Sequence, residues 1–507
     1  DRAADWFEHE IAAQTITDHA DEAYLAVTLR PHAEKARRRA RQCRQGAPLS
    51  AARIEVEYTK LASLFDVEIT AFERKAFANL SHEPNKAMNL NSYIGLMGQS
   101  LRESHTERGR LLLACEPARA ELSIPAADYL ITLDADSLIH PDYARRLIHV
   151  MEQPANADIA VAQTPYSAFP NADGSLERIA GATTDIQYII HQGFTSADAT
   201  YWVGANALLR YRALEDIAEI SEERGFTVNR YIQDRTVIED TESSVDLAAR
   251  GWRLLNYPQR LAYSATPPDF GSLVIQRRRW ANGGLIILRK LSGYLLRHPS
   301  RALREGFFRV HYLVSIAAVN IGLLILLAFP LTQDIVSYWL PLTALPYFLL
   351  YGRDLVLCGY TPGDLLRVYA LNLLLIPVNL GGVFKSLQQA ITGNKIPFAR
   401  TPKIHGRTAT PALYIIAVYA LLVQWSLSAG FDVFEGHWVH AGFAMVNAVF
   451  LFYGLSAFIG LAASAADLKG ALSIRRGGPL PTATAGDGSE AHAATTAEAK
   501  PARVQGS

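Results

Sequence analysis

The chain has 507 residues, with 49 basic and 49 acidic side chains and a formal net charge of zero. That balance supplies no global attraction to nucleic acid. Its three cysteines, Cys43, Cys115 and Cys358, lie far apart without metal-ligand spacing, which argues against a disulfide framework and suits a reduced compartment.

Hydrophobic residues make up 50% of the chain but are spread unevenly. Charge runs through roughly the first 300 residues, whereas long uncharged runs fill about the next 160, so the first part reads as soluble and the second as membrane. The opening Asp1-Arg2-Ala3-Ala4-Asp5-Trp6 has neither a Met nor a leader-like stretch, and reads as the start of a fragment that lacks at least one preceding strand.

Residues 1–64 read as helical and polar, with Trp6, Ile11, Ile16 and the Tyr24 to Leu29 stretch as apolar faces. The basic run from Lys35 to Arg41 reads as a solvated helix face, with contact to lipid headgroups or a nucleotide as the alternative. Phe65 to Ala71 alternates like a half-buried strand. Asn85-Lys86-Ala87-Met88-Asn89-Leu90-Asn91 opens a helix, where Lys86 either meets a phosphate or is a plain surface lysine.

Tyr129 to Leu133 is short, β-prone and nearly free of charge, and so reads as a buried strand. Asp134 and Asp136 follow it, then His140-Pro141 and a helix in which Pro141 suits the first position. Carboxylates at the carboxyl end of a strand lie where open α/β sheets bind ligands. Two so close together repel, unless a divalent cation holds both ionised. One reading is therefore Mg²⁺ or Mn²⁺ bridging to a nucleotide diphosphate, and the other is simple capping at a solvated turn.

Asp158 to Pro165 and Tyr201 to Leu209 read as further strands, the second with Gly204 permitting close backbone approach. Between them Leu176 to Gly193 forms one long helix. Val237 to Arg250 forms another, stopped by Gly251. One of Glu239, Asp240 and Glu242 at its start suits a general base, although acidic residues there also complement the helix dipole. Strands alternating with helices over 65–270 argue a mostly parallel sheet covered on both faces.

Gln276-Arg277-Arg278-Arg279-Trp280 sits in a basic amphipathic stretch, 271–309, that reads as lying on an anionic membrane face. Arg279 offers a planar fork for diphosphate, and Trp280 offers either a stacking face for a sugar ring or a membrane anchor. Within 310–465, four spans are expected at 311–331, 335–351, 411–429 and 438–463. If the apolar stretch 365–384 also crossed, Lys385, Lys395, Arg400, Lys403 and Arg407 would face outside. The positive-inside bias therefore makes 364–392 an interfacial helix on the cytoplasmic face, followed by a loop at 393–408. Residues 466–507 read as a disordered tail.

Asp134-Ala135-Asp136, Glu239-Asp240 and Gln276-Arg277-Arg278-Arg279-Trp280, in that order ahead of membrane spans, resemble the processive family 2 glycosyltransferases of the bacterial cellulose synthase type. Lys86 to Asn91 is similar to that family's Lys-Ala-Gly-Asn-Leu-Asn, with Met88 in place of the glycine. Phe398-Ala399-Arg400-Thr401 is similar to its gating-loop motif, with Arg400 in place of valine. The resemblance spans roughly 65–465.

It implies an α/β glycosyltransferase-A domain, a mostly parallel sheet with flanking helices, followed by an α-helical transmembrane domain. Asp134 and Asp136 would hold the metal, Mg²⁺ or Mn²⁺, and with Lys86, Gln276, Arg279 and Trp280 the nucleotide sugar. Asp240 would be the general base. Gly204, Asn206 and Trp280 would meet the acceptor, and Phe398 and Thr401 would belong to a gating loop.

The implied activity is inverting transfer of a hexose, glucose favoured, from a UDP-sugar to a growing β-linked polysaccharide, which is then exported. The implied location is multi-pass in the inner (cytoplasmic) membrane with the catalytic domain cytoplasmic, and an accessory export subunit is an optional partner. Single transfer to a lipid, as in ceramide glucosyltransferases with a similar Gln-x-x-Arg-Trp, and a catalytically silent export subunit are the alternatives.

Overall fold

The computed structural model describes residues 1–46, 48–64, 66–172, 174–204, 206–328, 339–393 and 406–475. The sheet beneath the site has four strands in the spatial order Arg253–Asn256, Ile159–Gln163, Ala207–Arg210 and Tyr129–Thr132. Ile159–Gln163 is buried at every position, as befits an uncharged run covered on both faces. Leu147 and Met151 from helix Tyr143–Met151 pack on one side of it, and Leu247 from helix Glu239–Ala249 on the other.

The pairing differs from expectation. Ile159–Gln163 runs parallel to Arg253–Asn256, but Ala207–Arg210 is reversed and has a neighbour on each side. Both of its pairings are therefore antiparallel, and the sheet is mixed rather than mostly parallel. Two expected strands also shrink. Tyr201–Gly204 is a loop ahead of the strand that begins at Ala207, and 66–71 is unpaired and exposed, with Ile69 91% accessible. Alternation without a neighbouring strand cannot satisfy the backbone as a sheet. Pro141 falls one residue before the helix N-cap, Asp142, rather than inside the first turn.

At the amino end, helices Arg2–Ala13, His19–Tyr24 and Arg30–Gln45 close around Phe7, Leu25, Leu29 and Ala33. Arg37 reaches Asp5 and Glu8, so part of the basic run is spent on ion pairs within this bundle. The bundle packs on Ser137–Ile139, immediately after the aspartate pair.

Helix Phe270–Arg297 is capped by Asp269, whose Oδ1 accepts the Ser272 amide at 2.7 Å. It lies along helix Asp364–Thr392, where Gly382 permits the approach: a Cβ there would stand 2.6 Å from Cβ of Ala281 and 2.8 Å from the Arg278 carbonyl oxygen. Among the described residues, four helices are long and apolar enough to cross a membrane: Pro299–Ile325, Asp364–Thr392, Ala412–Phe434 and Trp438–Ile459. Three of the expected spans coincide with such helices. The expected span at 335–351 does not, because its start lies outside the described residues and the remainder is split between the short helices Trp339–Leu342 and Leu345–Leu357.

Both ends of Asp364–Thr392 bind the α/β domain. Arg178 donates to Asp364 at 2.6 Å, and the Gln389 amide donates to the Arg235 carbonyl at 3.2 Å. At 1.5 Å per residue this helix is about 43 Å long, so it runs along that domain instead of standing away from it. Phe398 and Thr401, in the expected gating loop, lie outside the described residues. The expected tail does not start at 466, because helix Leu461–Arg475 continues through that point, and residues 476–507 lie outside the described residues. Asp467 is tied there to the Arg407 guanidinium and to the Thr410 amide, the latter at 2.9 Å.

Candidate active site

Tyr129–Thr132 ends in a tight turn in which the Ser137 amide donates to the Asp134 carbonyl at 3.0 Å. Ser137–Ile139 then pairs with Ala262–Ser264, so the aspartate pair is held between two strand ends. Lys86 reaches it from the first turn of helix Lys86–Ile94, which Asn85 caps through the Met88 amide. The Lys86 ammonium lies 2.6 Å from Asp134 Oδ1. Burial opposes its charge, yet Asp134, Glu239 and Asp240 outweigh burial and hold it above the ordinary lysine value.

Opposite this group stands Asp240, in the first turn of Glu239–Ala249. The Gly204 amide donates to its Oδ2 at 2.8 Å, and the Thr241 amide to its Oδ1 at 2.7 Å. Gly204 adopts φ +97°, and any Cβ there would come within 2.3 Å of the Tyr166 ring. Only glycine meets both demands. Burial pushes the Asp240 carboxyl up, against the pull of the Gly204 amide and Lys86. Burial and the adjacent Asp240 charge together push Glu239 up to about 7. Asp240 is thus a stronger base than an ordinary aspartate, with its oxygens oriented by two backbone amides.

Helix Phe270–Arg297 closes the third side with Gln276, Arg277, Arg279 and Trp280. All of these groups line one cavity of about 870 Å³, which continues past Trp280 to His311, Tyr312, Ser315 and Ile316 on the first long apolar helix. Lys86, Asp134, Asp136, Gly204, Asp240, Gln276, Arg279 and Trp280 are therefore brought together. Asn206 is not: it is 1% exposed behind the wall, where its Oδ1 accepts the Tyr143 hydroxyl at 3.0 Å.

Arg277 and Tyr166 were missed in the sequence. Arg277 stacks over the Trp280 ring at 4.6 Å and donates to the Thr183 hydroxyl at 2.6 Å, and burial pushes its guanidinium down to about 10. Its i,i+3 relation to Trp280 on one helix face was the signal available. Tyr166 carried none, since its place depends on the pairing of Tyr166–Ser167 with Ala262–Ser264.

All of these groups except Lys86 fall within a stretch that matches a known family. Residues 129–352 match the family model for glycosyl transferase family group 2. The chain is related to the family 2 glycosyltransferases. Glucomannan 4-beta-mannosyltransferase 2 of Arabidopsis thaliana is 26% identical over 171 residues, 34% of this chain and 30% of that protein. The UDP-forming cellulose synthase catalytic subunit of Komagataeibacter sucrofermentans is 29% identical over 169 residues, 32% of this chain and 20% of that one. Glucans biosynthesis glucosyltransferase H of Bradyrhizobium diazoefficiens is 28% identical over 197 residues, 38% and 24% respectively.

The chain thus spans under a third of the length of these relatives. A solved mannosyltransferase from Pyrobaculum calidifontis, in complex with GDP-Man and Mn²⁺, aligns with 51% of this chain and 62% of its own at 13% identity and a TM-score of 0.32. The matched relatives include cellulose and glucomannan synthases, and helices long and apolar enough to cross a membrane lie in the C-terminal part of the chain.

Proposed function

We propose that the chain transfers a hexose, glucose by preference, from a UDP-sugar to the end of a β-linked polysaccharide with inversion, and passes the product into its apolar helices. One observation carries this reading. The aspartate pair, Asp240 and the Gln276-to-Trp280 face line a single cavity whose far end is the first apolar helix.

The donor diphosphate would lie between Lys86, Gln276 and Arg279, where three polar side chains converge on a site partly withdrawn from water. Asp134 and Asp136 would hold the cation, and their donor atoms are all oxygen and hard. That suits Mg²⁺ or Mn²⁺, which when bound would help neutralise the departing nucleotide. Asp240 takes the proton from the acceptor hydroxyl as that oxygen attacks the anomeric carbon. Trp280 supplies an apolar face for the acceptor ring.

The catalytic domain would face the cytoplasm, with Asp364–Thr392 as an interfacial helix. Its two ends, held at Arg178 and Arg235, and the basic residues on either side of it support that placement.

The test is to reconstitute the full chain in lipid and supply radiolabelled UDP-glucose, other UDP-sugars and GDP-mannose in parallel. Nucleotide release and product length are then read together. Long product from UDP-glucose is expected. A single transfer to lipid, or use of GDP-mannose alone, would overturn the polymer or the donor respectively.

A further inference from the structure

The hairpin formed by Ala412–Phe434 and Trp438–Gly454 turns at the end away from the catalytic domain. Its first helix starts beside that domain, where the Thr408 amide donates to Asp269 at 3.1 Å. About 34 Å of helix separates that point from Phe434. The connection is only Glu435, Gly436 and His437, closed by backbone bonds from the Glu435 amide to the Phe431 carbonyl at 2.9 Å and from the His437 amide to the Asp432 carbonyl at 2.7 Å. Phe434 and Trp438 flank the turn with 87% and 71% of their surface exposed, as aromatic residues do at a membrane–water boundary.

Inside that turn, chemistry gathers that the transfer reaction does not use. Asp432 and His440 are each 1% exposed, and His437 completes the group. One ligand atom from each of the three lies within 4.8 Å of the others. An apolar helical hairpin is a costly place for a carboxylate unless it is compensated. Among the described residues, the Ser428 hydroxyl donates to Asp432 at 3.4 Å, and His437 Nδ1 stands 3.7 Å away, beyond hydrogen-bond reach. His437 Nδ1 is itself buried and has no hydrogen-bond partner among the described residues. A carboxylate and an imidazole nitrogen thus face one another at ion-pair distance without a hydrogen bond between them.

We infer that Asp432, His437 and His440 bind a divalent transition-metal ion of the zinc class. Two imidazoles and one carboxylate suit a borderline ion and are a poor set for Mg²⁺ or Ca²⁺, which take oxygen ligands. Holding such an ion would draw the three ligand atoms in to metal bonds of about 2.1 Å. The i,i+3 spacing puts His437 and His440 on one face, and Asp432 approaches from the preceding helix, so the ion would clasp the hairpin at its distal end. His437 keeps 32% of its side chain accessible, which gives the ion a path of entry and a solvent-facing fourth position.

The experiment uses the full chain in lipid nanodiscs, stripped with a chelator and titrated with Zn²⁺ alone. An Asp136→Ala background removes the other candidate cation site. One Zn²⁺ per chain and a raised unfolding temperature are expected. His437→Gln, at the most exposed ligand and therefore the least disturbing to folding, should weaken uptake by more than the about 10–100-fold that losing an outer-shell partner costs. Asp432→Asn should do the same. No zinc uptake by the parent chain, or uptake unchanged in both variants, overturns the assignment.

Discussion

The backbone amide of Gly204 donates to Asp240 Oδ2 at 2.8 Å, so a residue of the loop ahead of strand Ala207–Arg210 aims the carboxylate in the first turn of helix Glu239–Ala249. Gly204→Ala would force a side chain into the left-handed region at about 1–3 kcal/mol and drive its Cβ into Tyr166. Transfer should fall at least tenfold, with a lowered unfolding temperature. An active and equally stable variant would show that the loop does not position Asp240.

Asp240→Asn keeps an acceptor for the Gly204 amide but removes the base. Nucleotide affinity should stay near that of the parent chain, while transfer drops by about 10²–10⁴. Titrating UDP into the variant and measuring turnover separates the two. Normal turnover would move the base to another residue.

Acidity enters through the same pair. Glu239 binds its proton more tightly in the folded chain, so its contribution to stability is complete below the ordinary carboxyl value of 4.5 and is lost as pH climbs through about 7. Glu239→Gln should therefore gain unfolding temperature relative to the parent at pH 8, and little at pH 4. The acid limb of turnover should lie above the ordinary aspartate value of 3.8, because Asp240 is pushed up too.

Asp136→Ala should abolish the part of UDP affinity that depends on Mg²⁺ or Mn²⁺, and chelating the metal from the parent chain should reproduce the effect. Calorimetric titration with and without the ion reads this directly. A variant whose affinity still rises with metal would place the ion elsewhere.

Trp280→Ala leaves Asp240 and the aspartate pair in place but removes the ring that borders the apolar helix. It also frees Arg277, which stacks on that ring at 4.6 Å. Elongation should suffer several-fold more than hydrolysis of the donor. Equal loss of both would argue that Trp280 serves the donor and not the acceptor.

Side-chain chemistry written locally in the chain was legible before any coordinates. Asp134 and Asp136 end an apolar run, Glu239-Asp240 open a helix, and Gln276, Arg279 and Trp280 share one helical face, all readable from spacing of a few residues. Apolar length likewise marked three of the membrane-type helices. The reversed direction of Ala207–Arg210, the removal of Asn206 into the core and the lodging of Gly204 against Tyr166 were not readable in this way. Nor were the two anchored ends of Asp364–Thr392, or the meeting of Asp432 with His437 and His440.

Periodicity and residue type act over one or two turns, and so the sequence by itself determined which groups stand at the ends of its helices and strands. Which of those ends meet depends on pairing direction and close packing between segments a hundred residues apart. That was decided only when the chain folded.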